Sequence, residues 1–279
     1  MELNWAANWA TLSKTWSDLK PPAIPSDDDL ANFVCLAKTE HLVEGTVLVL
    51  GATPSLRVAM SHIPHVRRLY CIDANAAAYR PFPPGLVVIS ESFVHSNWLE
   101  MSQHLASGTA DIIVGDKSID NVPKNLWDSF FSECNLMLVK NGKLILHVGF
   151  PDKRIQLMPP EQLVREHFAT VERGRSEADA HSVLWEDLLS HSAKFNDDFL
   201  SLENYRHMES SLNLHSQESE FFAAMARKHV SSWSDRWANF DEDFFVASAE
   251  SNHFLVESRM LARDYPGSVN QPIFLLRKT

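Results

Sequence analysis

The sequence predicts an α/β fold: a mostly parallel sheet with helices on both faces, preceded by N-terminal helices and interrupted by a helical insertion. Short runs rich in Val, Ile and Leu carry that expectation: "TVLVL", "RLYCID", "LVVIS", "DIIVG" and "KLILHVG" begin near positions 46, 68, 86, 111 and 143. None alternates polar with apolar residues, which is the pattern of strands buried on both faces. Most of the gaps between them have room for a helix, 61–67 being the tightest, so the series reads as βαβ.

Upstream of that series, Trp5, Trp9, Leu12 and Trp16 share one face of a helix that stops at Pro21 and Pro22. Such a stripe has to be buried, either as core or as a lid over a substrate. A second helix starts at Ser26, whose hydroxyl can cap it while Asp29 completes a capping box. Leu30, Phe33, Val34 and Ala37 then give it an i, i+3, i+4, i+7 stripe. Residues 152–238 break the rhythm with helical stretches such as "PPEQLVREHF" and "SQESEFFAAMARKHV", expected to cover one edge of the sheet. Strand-like sequence returns in "FFVASAES" (244–251) and "PIFLLRK" (272–278). The chain thus divides into an N-terminal helical cap (1–43), a core (44–151), an insertion (152–238) and a segment carrying the last two strands (239–279).

Composition narrows the partners. The 36 acidic side chains against 25 basic ones give a formal charge of -11, which repels a phosphate backbone or an anionic membrane. A nucleic-acid partner is therefore not expected, and the oligomeric state stays open. Cys35, Cys71 and Cys134 are far apart and form no CxxC pair, which argues for neither disulfides nor structural zinc and suits a reducing cytoplasm. No basic segment precedes an apolar run at the start and no apolar stretch is long enough to span a bilayer, so neither a signal peptide nor a membrane helix is expected. Thirteen histidines include no HExxH, and His62 with His65 lacks a third ligand nearby in sequence, so no metal site is expected.

The first βα turn of a parallel sheet normally lines its ligand crevice. Here that turn is "GATPS", with Gly51 as its single glycine. Asp73 ends the second run 22 residues later, near the spacing at which a carboxylate accepts from both hydroxyls of an adenosine ribose. A pyrophosphate needs more bare backbone than Ala52, Thr53 and Pro54 leave. S-adenosylmethionine (SAM) carries a sulfonium and an amino-acid tail but no phosphate, and a turn of small residues with one glycine can admit it.

Taken in order, "VLVLGATPSLR", "YCIDAN", "VVISESF", "ADIIVGDKSIDNVP", "LVKNGKLILHV" and the late "QPIFLLRK" resemble class I SAM-dependent methyltransferases of the small-molecule type. The resemblance covers roughly residues 40–150 and the last forty. It implies a Rossmann-like sheet of seven strands, the last two an antiparallel pair at one edge. It makes Gly51, Ala52 and Thr53 the turn under the methionine tail, Asp73 the ribose acceptor with Ala74 beside it, and puts Ser92 and Phe93 next to the adenine. Gly115 and Asp116 end the fourth strand, with Ser118 and Asn121 facing the reaction centre.

Asp116 and His147, at the ends of the fourth and fifth runs, are the candidate catalytic residues, histidine because it titrates near neutral pH. Trp5, Ser118 and Asn121 are candidate substrate contacts, and His181, His191 and Tyr205 are weaker ones. Each also has an ordinary structural reading: Gly51 as a plain turn, Asp73 as a helix cap, Asp116 as a solvated acid and His147 as a hydrogen-bonded core residue. The activity expected is methyl transfer from SAM to a small metabolite. Two alternatives stay open, cyclisation of SAM to azetidine-2-carboxylic acid with release of methylthioadenosine, and a scaffold without catalysis.

Overall fold

The computed structural model describes residues 19–38, 44–81, 88–192, 199–229 and 236–279. The Trp-rich segment before Leu19, and Trp5 with it, lies outside the described residues. Helix α1 (Asp27–Ala37) opens with the expected capping box, Asp29 N donating to Ser26 Oγ and Ser26 N to Asp29 Oδ2, both at 3.0 Å. Strand β1 (Gly45–Leu50) leads into α2 (Pro54–Ser61), then β2 (Val66–Asp73), α3 (Ala76–Tyr79), β3 (Ser90–His95), β4 (Ala110–Asp116), α4 (Trp127–Met137) and β5 (Leu138–His147). The insertion comprises α5 (Lys153–Leu157), α6 (Pro160–Glu172), α7 (Glu177–Ser192), β6 (Phe199–Ser201), α8 (Leu202–Ser211), α9 (Ser216–His229) and β7 (Arg236–Ala238). Helix α10 (Glu242–Ser251) precedes β8 (Phe254–Met260) and β9 (Ile273–Lys278).

One sheet of seven strands has the order β3-β2-β1-β4-β5-β9-β8, with β9 antiparallel to both neighbours. Its two faces explain the unbroken apolar runs. Leu48, Leu50, Ile113, Leu144 and Leu146 point into a core with Trp127, Phe130 and Phe131 of α4. Val47, Val49, Ile112, Val114 and Ile145 point into another with Phe33 of α1 and Leu56 and Met60 of α2. Each such side chain contributes about 1.5–3 kcal/mol by leaving water, which favours apolar residues on both faces of the central strands. The insertion has a core of its own around Leu163, Leu184, Trp185, Phe221 and Met225. Among the described residues no helix is long and apolar enough to cross a membrane.

Three expectations are corrected. The third strand is not "LVVIS" but Ser90–His95, pairing from Arg68↔Ser90 to Asp73↔His95. It is an edge strand with partly exposed side chains, so its polar residues hid it from a search for apolar runs. Residues 244–251 are helix: Asp241 caps α10 by accepting from Phe244 N, and Phe245 and Ala249 bury at i, i+4. A short apolar run does not by itself tell strand from helix. The insertion also meets the middle of the sheet rather than an edge strand, since Glu186 of α7 pairs with Lys117 just beyond β4 at 2.9 Å.

Candidate functional site

The strand order reverses between β1 and β4, and the residues of interest gather at the carboxyl ends on either side of that point. Gly51 has φ +95, a conformation that glycine tolerates and L side chains rarely adopt, and its N–H donates to Ile72 O. Thr53 stands at the N-cap position of α2 without a side-chain cap bond, and Ala52 is buried. Asp73 braces the turn from β2: its Oδ2 accepts from Ala52 N at 3.2 Å and its Oδ1 from Asn75 N at 2.7 Å. Burial pushes its carboxyl up to about 6, against the pull of those two backbone N–H groups and of His95. A carboxylate offers about four acceptor directions. With one taken on each oxygen, Asp73 retains enough for two ribose hydroxyls.

Ala74 is exposed beside it, its carbonyl 2.8 Å from His95 Nε2. Ser92 and Phe93 lie in the middle of β3, opposite Tyr70 and Cys71, not at its carboxyl end. Phe93 stacks on Tyr79 of α3 at 4.5 Å between ring centroids. Trp98 stands instead just past the end of β3. Its Nε1 donates to Ile72 O, and a Cβ on Gly51 would lie 3.6 Å from its ring. Beneath these residues, Arg57 of α2 grips Glu91 of β3 through two bonds of 2.6 and 2.9 Å, both side chains fully buried.

Across the switch point, Gly115 lets the chain turn closely: a Cβ there would fall 2.5 Å from Ser118 Oγ, which donates to Leu50 O. Ser118 therefore ties the β4 loop to the end of β1 and is buried in doing so. Asn121 is exposed, and its Nδ2 donates to Lys117 O. His147 is wholly buried, with Nδ1 2.8 Å from Asp116 Oδ1 and Nε2 3.9 Å from Asp29 Oδ1. Burial alone would lower its pKa; the Asp116 hydrogen bond and then the charges of Asp29 and Asp116 outweigh that and raise it. Tyr265 completes the group, its phenol pushed upward by burial and by the carboxylates of Asp29, Asp116 and Glu186. Asp116 is the partly exposed member, so it meets solvent while His147 stands behind it.

The structure thus brings Gly51, Ala52, Thr53, Asp73, Gly115, Asp116, Ser118 and His147 to one end of the sheet. Ser92, Phe93, His181 and His191 lie elsewhere: the first two within an edge strand, the others on α7. Sequence reasoning missed Trp98, Tyr265 and the role of Asp29 beyond its cap. The signal for Trp98 was its place after the third strand, which only the correct register exposes. Among the described residues no three His, Cys, Asp or Glu side chains gather as a metal ion would require.

No protein-family model matches the sequence, and no curated protein is significantly similar to it. Solved structures do resemble it. A candidate Zn-dependent alcohol dehydrogenase from Rhodobacter sphaeroides aligns over 100% of both chains at 13% identity with a TM-score of 0.60. Burkholderia thailandensis 1,6-didemethyltoxoflavin-N1-methyltransferase, solved with 1,6-didemethyltoxoflavin and S-adenosylhomocysteine, aligns over 99% of this chain and 89% of its own (11% identity, TM-score 0.53). A candidate SAM-dependent methyltransferase from Listeria monocytogenes aligns over 91% of this chain and 100% of its own (12% identity, TM-score 0.50). At these identities the likeness is one of fold, the Rossmann-like seven-stranded sheet of class I SAM-dependent methyltransferases.

Proposed function

We propose that this protein is a SAM-dependent methyltransferase acting on a small molecule, working in the cytoplasm. The observation that carries the reading is Asp73, a carboxylate with spare acceptor directions beside the single-glycine turn at the switch point of a methyltransferase-type sheet. Bound SAM would supply an electrophilic methyl group. The residues fit that cofactor better than a dinucleotide, because the turn's Ala52 amide is already spent on Asp73 and is not free for a phosphate.

In this reading Asp73 holds the ribose, Gly51 to Thr53 pass under the amino-acid end, and Trp98 takes the place beside the adenine given by resemblance to Ser92 and Phe93. Asp116 is the catalytic residue: partly exposed, it can accept a proton from the attacking group. His147 is a positioning residue that fixes the Asp116 carboxylate through Nδ1. The net charge of -11 favours a small molecule over nucleic acid, and three free cysteines suit a reducing compartment. Calorimetry with SAM on the intact protein and on Asp73→Ala tests the reading. Loss of about 1–3 kcal/mol of binding supports it. Absence of SAM binding by the parent overturns it, and methylthioadenosine released without an acceptor would turn it toward cyclisation.

A further inference from the structure

A cleft opens where the insertion meets the ends of β4 and β5. Its walls include Asp120 from the loop after β4, Gly149 after β5, Glu186 and Asp187 of α7, and Gln271 before β9. Most of its carboxylates are already engaged: Glu186 with Lys117 at 2.9 Å and Asp187 with His167 at 2.7 Å, while Asp152 receives Arg154 and Asn270. Two acceptors are not. Asp120 is 3% exposed and takes Gly149 N on Oδ2 at 3.0 Å, leaving Oδ1 without a partner. Gln271 is 6% exposed, and its Oε1 has none either.

A buried acceptor with no donor costs about 1–3 kcal/mol, and native proteins seldom leave two beside one cleft. What both lack is a hydrogen-bond donor. Gly149 lies close to both side chains, since a Cβ there would lie 3.0 Å from Asp120 Oδ2 and 3.9 Å from Gln271 Nε2.

We propose that this cleft binds a small molecule through an ammonium or comparable cationic N–H group, with Asp120 and Gln271 as its acceptors. Resting on the methyltransferase reading, that molecule is the methyl acceptor. When ionised, the Asp120 carboxylate matches the cation in charge, and the Gln271 amide oxygen takes a second N–H.

The test is a proton–nitrogen NMR titration of the full chain with putrescine, and with butyrate as the anionic control, alongside Asp120→Asn and Gln271→Leu. The Gly149 amide reports directly, because it donates to Asp120. Expected is a saturable shift with putrescine but not butyrate, at least tenfold weaker in Asp120→Asn and weakened in Gln271→Leu, both of which should hold the parent's fold. No saturable shift in the parent, equal shifts with butyrate, or unchanged affinity in both variants would overturn it. Repeating the titration with S-adenosylhomocysteine separates the two readings. Putrescine binding without any cofactor binding would overturn the methyltransferase reading and leave the cleft standing, and cofactor binding without putrescine would do the reverse.

Discussion

Replacing His147 by Phe isolates the energetics at the centre of the site. The imidazole is wholly buried between Asp116, at 2.8 Å, and Asp29, at 3.9 Å, with the Tyr265 phenol beside the same Asp29 carboxylate. A phenyl ring has similar bulk and a congenial neighbour in Phe33, whose ring meets the imidazole edge-on at 6.4 Å. The aromatic packing is therefore kept while the 2.8 Å bond to Asp116 is lost, together with the charge that the ring carries when protonated. Removing one partner of a buried pair leaves an uncompensated charge at about 3–5 kcal/mol. The double variant His147→Phe, Asp29→Asn should recover roughly half of that, because Asn can still accept from Ser26 N. The sign with pH follows from the raised pKa: stabilisation by the imidazolium is present below the unfolded value and lost as pH rises through the folded one. Urea denaturation between about pH 6 and about pH 9 measures both effects. The parent should lose more stability across that range than His147→Phe does. A single variant destabilised by less than about 1 kcal/mol, or strict additivity in the double, would refute the coupling.

Gly51→Val should remain folded at a cost of about 1–3 kcal/mol, because the strain comes from φ +95 while Trp98 at 3.6 Å leaves room for a Cβ. Calorimetry should show at least a tenfold loss of SAM affinity, and parent-like binding would make the turn merely structural. Arg57→Met strands Glu91 in the interior and should cost about 3–5 kcal/mol by chemical denaturation, with Arg57→Met, Glu91→Met much closer to the parent. Burial first of all pushes the Asp120 carboxyl up to about 7, so the folded state holds its proton longer than the unfolded chain. Stability should fall by about 1.4 kcal/mol per pH unit from roughly pH 4 toward that value, and Asp120→Asn should flatten the slope in a melting series across pH.

The strands at the middle of the sheet were legible because burial on both faces demands uninterrupted apolar side chains, as in Val47–Leu50 and Ile112–Val114. The capping box at Ser26 was legible because it is local: three residues decide it. The edge was not. Ser90–His95 carries polar groups toward solvent, and with the strand placed too early Ser92 and Phe93 were expected past its end when they lie within it. Asp73 and Asp116 could be found because they end strands, whereas Asp29 faces His147 across 118 residues of sequence, a distance no spacing rule bridges. The turn at Gly51 was read from one glycine, and its left-handed backbone agrees with why that residue is there.

Helix α1 is fastened at both of its ends by residues distant in the chain. Lys143 Nζ donates to the carbonyls of Leu36 and Lys38, and the backbone N–H groups of Asp28 and Arg263 bond to the carboxylates of Asp264 and Asp28 in exchange. On the ribosome the helix emerges long before its second fastening is made. The parallel strands β1 to β5 can pair first, with Asp29 already held by its capping box and the helix by Lys143, and the exchange at Asp28 is added once residues 263 and 264 have been synthesised. A chain that stopped short of that point would hold β1 to β5 without β9, which follows at Ile273–Lys278, and would lack the bonds that tie Asp28 to residues 263 and 264.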